Sequence, residues 1–346
     1  MNAEYLADTN WTGEQLFRTL QHIKLGGSVC LYTPEQCNTL APLINEINRI
    51  KKETNSLILA HSYVSPEIIH GVADFTGDSY ELSTKAKRTN ADTIIFVAVR
   101  FMAETAKLLN PEKNVVIPGQ LNGCSLADSI TGSDVRELKN KYPDYTFVCY
   151  INTSAAVKAE CHVCVTSSNV YQIIEKIPNS KIYFLPDKLM AKNIINHFKT
   201  NPINKTIKFW DGTCYVHEAY DPEMIDYIKR QYNDVDVVSH PECTPDIIQK
   251  SDFVGSTSQM INYVNTSSAP AYFMLTECGL TSRLQLENPS KNFVGSCSLC
   301  KYMKDNTLSN IKEALINPKS ELTITIDSDT SKQAVECINR MFEYCE

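Results

Sequence analysis

The sequence predicts an α/β protein made of three similar three-layer α/β/α units with parallel sheets, set in a pseudo-threefold arrangement around one central site. Three observations predict it. Short β-rich runs alternate with helical patterns along the chain, the pattern of α/β layers and mainly parallel sheet. A block of three strands recurs three times. Polar landmarks recur within those blocks in register: His61, Tyr150 and His240 at offsets of 89 and 90, Ser79, Ser167 and Thr257 at 88 and 90, and Cys124, Cys214 and Cys300 at 90 and 86. All α/β units resemble one another, but landmarks in register go beyond that likeness.

The elements follow in order. Thr33-Pro34-Glu35 opens a helix whose Leu40, Leu43, Ile44 and Ile47 share one face. Strands are expected at 57–63, 93–99, 114–118, 145–150, 181–186, 206–210, 234–240, 271–275 and 322–326 (LTITI). FTGDSYELS, CVTSSNVYQ and FVGSTSQMI add a short strand and a Ser/Thr loop to each block. Residues 331–344 read as a helix. The first unit is expected over 1–118 with 295–346 closing onto it, the second over 119–208 and the third over 209–294. If the units form a ring, their first-strand tips converge, and ligands bind at the C-terminal ends of such strands.

Composition narrows the function. The 346 residues include 43% hydrophobic ones, ample for packed cores, and carry a formal charge of −7 from 33 basic and 40 acidic side chains. With no basic run longer than a pair, nucleic acid and anionic membranes are poor partners, and a small-molecule enzyme fits better. The 12 glycines never take the spacing of a GxGxxG or GxxxxGK loop, so any phosphate is held by other means. The opening MNAEYLADTNWTGEQLF has no leader pattern, which predicts a cytoplasmic protein. The uncharged stretch 253–276 is long enough to span a bilayer but too polar to do so. Thirteen cysteines in such a chain point to thiolate chemistry or metal.

Cys124, Cys214 and Cys300 each follow a predicted strand, where a turn or helix begins. A structural zinc site wants four ligands, usually in CxxC pairs, a spacing found here at Cys161–Cys164 and Cys297–Cys300. Three single cysteines from three units suit an iron–sulfur cluster better, because a cube held by three thiolates leaves one iron open. Cys30, Cys37, Cys149, Cys278, Cys337 and Cys345 read as small buried hydrophobes. Ser79, Ser167 and Thr257 stand between a short strand and a helix, as simple N-caps or as parts of one anion pocket. The first-strand tips carry His61 and Tyr63, Tyr150 and Asn152, and His240 and Glu242, a set with general base, proton shuttle and carbonyl polariser. Glu242, two residues past a strand-end His in the only repeat whose tip carries a carboxylate, is the base candidate, and its neighbour Pro241 helps fix its direction.

HSY with GDSYELS, FMAETAKLLNP, GCSLADS, YINTSAAVKAE with TSSN, WDGTCYVHE, HPEC with GSTSQM, and TECGLTSRLQLENP with CSLCKYMKDN resemble, in that order, the motifs of the quinolinate synthase family from about His61 to Asn306. The resemblance implies three homologous α/β/α domains around a 4Fe-4S cluster. It also implies condensation of iminoaspartate with dihydroxyacetone phosphate to quinolinate, with loss of phosphate and water, in NAD biosynthesis. It puts the cluster on Cys124, Cys214 and Cys300. Substrate-binding and catalytic roles fall on His61, Tyr63, Ser79, Tyr150, Asn152, Ser167, His240, Glu242 and Thr257. An L-aspartate oxidase or dehydrogenase supplying iminoaspartate is the implied transient partner. Val294 stands where some members have a cysteine, and the resemblance suggests a Cys297–Cys300 disulfide, against an exposed bystander thiol on spacing alone.

Overall fold

Runs of Val, Ile, Phe and Tyr without polar alternation make strands buried on both faces, and such strands form parallel sheets covered by helices. The computed structural model, which describes residues 10–25 and 29–346, has three of them. Residues 1–9, which carry most of the segment judged for a leader, lie outside the described residues. A short antiparallel pair, β1 (Lys24–Leu25) and β2 (Val29–Cys30), comes first.

The first sheet holds β3 (Ser56–His61), β4 (Phe75–Gly77), β5 (Thr93–Val97) and β6 (Asn114–Val116) in the order β4-β3-β5-β6. The second holds β7 (Thr146–Tyr150), β8 (Val163–Val165), β9 (Lys181–Leu185) and β10 (Thr206–Phe209) in the order β8-β7-β9-β10. The third holds β11 (Val235–Ser239), β12 (Phe253–Val254), β13 (Ala271–Leu275) and β14 (Asn292–Phe293) in the order β12-β11-β13-β14. Every neighbouring pair in these sheets is parallel. Order and direction are therefore the same in all three, which is the expected triplication of an α/β unit. Each first strand lies between the second and third, so its C-terminal tip sits at the crevice where ligands bind in such sheets.

The predicted helix start at Thr33 is a capping box: its hydroxyl accepts from the Gln36 N–H, and the Gln36 side chain accepts from the Thr33 N–H. The helix spans Pro34–Glu53 and buries Cys37, Ala41, Ile44, Ile47 and Ile50. Among the described residues, no helix is long and apolar enough to cross a membrane.

Two expectations change. LTITI is not a sheet strand; it begins in a 3-10 turn (Ser320–Leu322) and touches β6 through one antiparallel bridge, Val116 to Thr323. The three-residue edge strand offers it few partners, and two hydrogen bonds flank the bridge, Ile117 N–H to Leu322 and Ile324 N–H to Val115. Nor does 295–346 close as a whole onto the first unit. Helix Leu308–Ile316 packs there against Pro34–Glu53, but helix Ser328–Cys345 packs against helix Ala155–Glu160 and β8 of the second unit, burying Ala334, Cys337, Ile338 and Met341.

Candidate active site

The three first-strand tips face one cavity of about 540 Å³. His61, Tyr63, Ser79, Tyr150, Asn152, Ser167, His240, Glu242 and Thr257 all line it, as do Cys124, Cys214 and Cys300.

Two tips hold a histidine in the same way. His61 ends β3 and its Nδ1 accepts from the Tyr63 N–H at 3.2 Å; His240 follows β11 and its Nδ1 accepts from the Glu242 N–H at 3.3 Å. A ring nitrogen that accepts bears no proton, so each neutral imidazole keeps its hydrogen on Nε2. Burial keeps both rings neutral, lowering His61 to about 4 and His240 to about 3.

Glu242 is 3% exposed. Its Oε1 accepts from the Tyr150 hydroxyl at 2.8 Å and from Asn152 Nδ2 at 3.4 Å, and its Oε2 lies 3.1 Å from His217 Nδ1. Burial alone would raise this carboxyl, but the His217 ring beside it and the hydrogen bonds from His217 and Tyr150 outweigh it and hold it at about 2. From His217 the polar chain runs on: Nε2 is 3.3 Å from Thr276 Oγ1, which is 2.9 Å from the Tyr63 hydroxyl, itself 3.2 Å from Thr257 Oγ1. Burial pushes the Tyr63 and Tyr150 hydroxyls up, which keeps them protonated donors.

At two of the three Ser/Thr landmarks, capping is delegated to a neighbour. Ser256, not Thr257, caps helix Thr257–Thr266 in a capping box with Gln259. Asp78 accepts from the Glu81 N–H at the start of helix Ser79–Arg88. Ser167 lies beside Tyr150 in the cavity lining, ahead of helix Val170–Lys176. Thr257 and Ser79 are thus the first helical residues, beside backbone N–H groups that favour anions.

The three cysteines stand on equivalent turns. Cys214 and Cys300 precede helices Tyr215–Glu218 and Lys301–Lys304 with nearly identical backbone angles, φ/ψ −88°/113° and −87°/106°. The carbonyls of Cys124, Cys214 and Cys300 accept from the N–H four residues on, at 2.8, 2.9 and 3.0 Å. Each sulfur faces the N–H groups two and three residues on: Leu126 and Ala127, Val216 and His217, Tyr302 and Met303. Burial pushes the thiols up, Cys124 to about 12, while those N–H groups favour the thiolate. Three soft donors with N–H groups aimed at each sulfur suit a thiolate-bound metal group.

Sequence reasoning missed three residues here. His217 bridges Glu242 to Thr276, and its signal was its place three residues past Cys214, on the same helical turn. Thr276 links His217 to Tyr63. Glu277, fully buried, accepts from the Cys300 N–H at 3.1 Å and pairs with Lys304 at 3.2 Å, which fixes the Cys300 turn. The Cys214 sulfur, a His217 nitrogen and a Glu242 oxygen also lie within 4.8 Å of one another. Several cysteine assignments are corrected: Cys297 is bonded to Cys278, neither to Cys300 nor left as a bystander, Cys278 is no mere apolar filler, and Cys345 is exposed and Cys30 half-buried because they lie at a helix end and on a short edge pair rather than in a core. The isolated bridge from Glu277 to Ser298 lays the two segments side by side, with Cα atoms 5.1 Å apart at the disulfide.

Residues 45–343 match the family profile described as quinolinate synthetase A protein. The chain is 44% identical over 297 residues to a quinolinate synthase of Sinorhizobium fredii, covering 86% of this chain and 81% of that one. The chain belongs to the quinolinate synthase family. Other members include the quinolinate synthase of Caulobacter vibrioides (strain NA1000 / CB15N), 40% identical over 90% of this chain and 84% of its own. Quinolinate synthase 2 of Mesorhizobium japonicum is 42% identical over 90% and 94%. Members of the family are enzymes of NAD biosynthesis, and the cavity at the polar strand tips suits small-molecule chemistry.

Proposed function

We propose that this cavity condenses iminoaspartate with dihydroxyacetone phosphate to quinolinate, with release of phosphate and water, and that Cys124, Cys214 and Cys300 hold a 4Fe-4S cluster beside it. The observation that carries the reading is the shared cavity: three equivalent thiols and three polar strand tips face the same space. With three protein ligands, the cluster supplies a Lewis-acidic iron that assists loss of water.

The chain's own residues supply the rest. Both substrates are anionic, and Ser79 and Thr257, at the starts of helices, and Ser167, in the turn before one, take their carboxylates and phosphate. His61 and His240, neutral, offer Nε2–H groups to substrate oxygens. Glu242, held ionised by Tyr150 and His217, is the base that moves protons, and Tyr63 is a donor during isomerisation of the triose-derived part. An L-aspartate oxidase or dehydrogenase supplies iminoaspartate, and the reaction runs in the cytoplasm.

The test is an anaerobic assay of the purified protein for quinolinate from the two substrates, with iron, sulfide and zinc measured on the same sample. Quinolinate formed by a protein bearing iron and sulfide is the expected result. A zinc-bearing protein with no product overturns it in favour of a mononuclear Cys214–His217–Glu242 site.

A further inference from the structure

The strand tips are gripped from outside their own units, and the gripping residues repeat. In each unit the helix after the third strand reaches the first-strand tip of another. From helix Arg100–Leu109, Glu104 Oε2 accepts from the N–H of Ala155, just beyond the Tyr150 tip, at 2.8 Å. From helix Lys188–Thr200, Asn193 Nδ2 donates to the carbonyls of Pro241 and Cys243 at 2.9 and 2.8 Å. From helix Cys278–Glu287, Arg283 Nη1 donates to Ser62 Oγ at 2.8 Å. Glu104, Asn193 and Arg283 are 89 and 90 residues apart, the same offsets as the tips His61, Tyr150 and His240. First unit grips second, second grips third, third grips first.

The grip on the third tip brackets one residue. The carbonyls that Asn193 engages belong to the residues on either side of Glu242. Two carbonyls can be satisfied only by the NH2 end of the amide, so its orientation is fixed by chemistry. The turn is closed from within by the Cys243 N–H donating to the His240 carbonyl at 3.0 Å. With Pro241 restricting one side and both flanking carbonyls pinned, the backbone of Glu242 is fixed, and with it the direction of the carboxylate toward Tyr150 and His217. Asn193 is 5% exposed and does not line the active-site cavity.

We infer that Asn193 is a positioning residue that aims Glu242 from the neighbouring unit, an inference that rests on the reading of Glu242 as the base. A double-mutant cycle on the anaerobically prepared, cluster-loaded protein tests it. Asn193→Ala lowers kcat by roughly 10- to 100-fold, the scale of a misaimed catalytic group. Iron content stays at the parental level. In a Glu242→Gln background the same change costs less than about 3-fold, because the group it aims is already disabled. A merely structural asparagine would instead give losses that multiply. Asn193→Asp, equal in shape but without the two donors, behaves as Asn193→Ala and replaces it should the alanine variant fail to fold. Multiplying losses, or kcat within about 2-fold of the parent in both variants, overturn the inference. If Glu242→Gln is inactive while Asn193 variants are silent, the inference alone falls. If Glu242→Gln keeps near-parental turnover, the reading of Glu242 and the inference fall together.

Discussion

Two groups of cysteines sit in this molecule under different physical conditions. Cys124, Cys214 and Cys300 stand on loops, one per unit, each sulfur facing two backbone N–H groups at the edge of a cavity. Cys149, Cys161, Cys164 and Cys337 are gathered in the core of the second unit, all at most 7% exposed. There the sulfurs meet one another and carbonyls: Cys149 is 3.7 Å from Cys337 and 3.8 Å from the Val163 carbonyl, and Cys164 is 3.9 Å from that of Val165. Burial pushes the thiols of Cys161, Cys164 and Cys337 up; at Cys149 burial is outweighed by hydrogen bonds from those three sulfurs and by the Lys158 charge, which hold its thiol below the ordinary range. The second group contains a CxxC pair; the first draws one cysteine from each of three units. On the proposed reading, what prepares a sulfur for metal is the turn beneath it rather than its spacing to the next cysteine.

The comparison breaks most visibly at Cys214. Cys214→Ser is expected to abolish iron and sulfide incorporation and all turnover, whereas Cys164→Ser and Cys161→Ser keep both; metal analysis of the variants decides it, and a normal cluster in Cys214→Ser would sink the assignment.

Next in size is Glu242→Gln, which separates chemistry from metal holding within the first region. It should retain full iron and still bind substrate analogues, while kcat falls by roughly 100-fold or more. Near-parental quinolinate formation would pass the proton-moving role to another group, such as His240 or Tyr63.

Removing a hydroxyl from the anion pocket is a smaller change. Ser79→Ala, Ser167→Ala and Thr257→Ala should each weaken binding of substrate or product by roughly 1.5–3 kcal/mol, the worth of a hydrogen bond to a charged group. Titration calorimetry on cluster-loaded variants reads this directly, and unchanged affinity in all three would reduce these loops to scaffolding.

The smallest effect lies in the second region. Cys164→Ser puts a more strongly polar hydroxyl into an apolar core and should lower stability by about 1–3 kcal/mol, seen as an earlier denaturant midpoint at unchanged iron content.

Much of this was legible because the triplication put equivalent residues at equivalent offsets. His61, Tyr150 and His240 could be aligned as strand tips, and Cys124, Cys214 and Cys300 as turns, before any coordinates. His217 and Thr276 were not, since their roles arise from contacts across 25 and 59 positions that no repeat encodes. The Cys278–Cys297 bond depends on two segments lying side by side, and the family resemblance pointed to a different partner. LTITI has the composition of a strand but finds only a short edge to pair with, so tertiary context overrode propensity. Helix Ser328–Cys345 went to the second unit because Cys337 and Met341 fill the apolar face over β8.

That last placement also sets an order of events during synthesis. The second sheet is complete by Phe209, yet Cys149 in its first strand meets Cys337, 188 positions further on. While the ribosome is still making the third unit, the face that helix Ser328–Cys345 will cover is open to water, with its apolar side chains and free thiols. Such surfaces are where nascent chains aggregate and recruit chaperones. The second unit is therefore early to form its strands and late to be sealed.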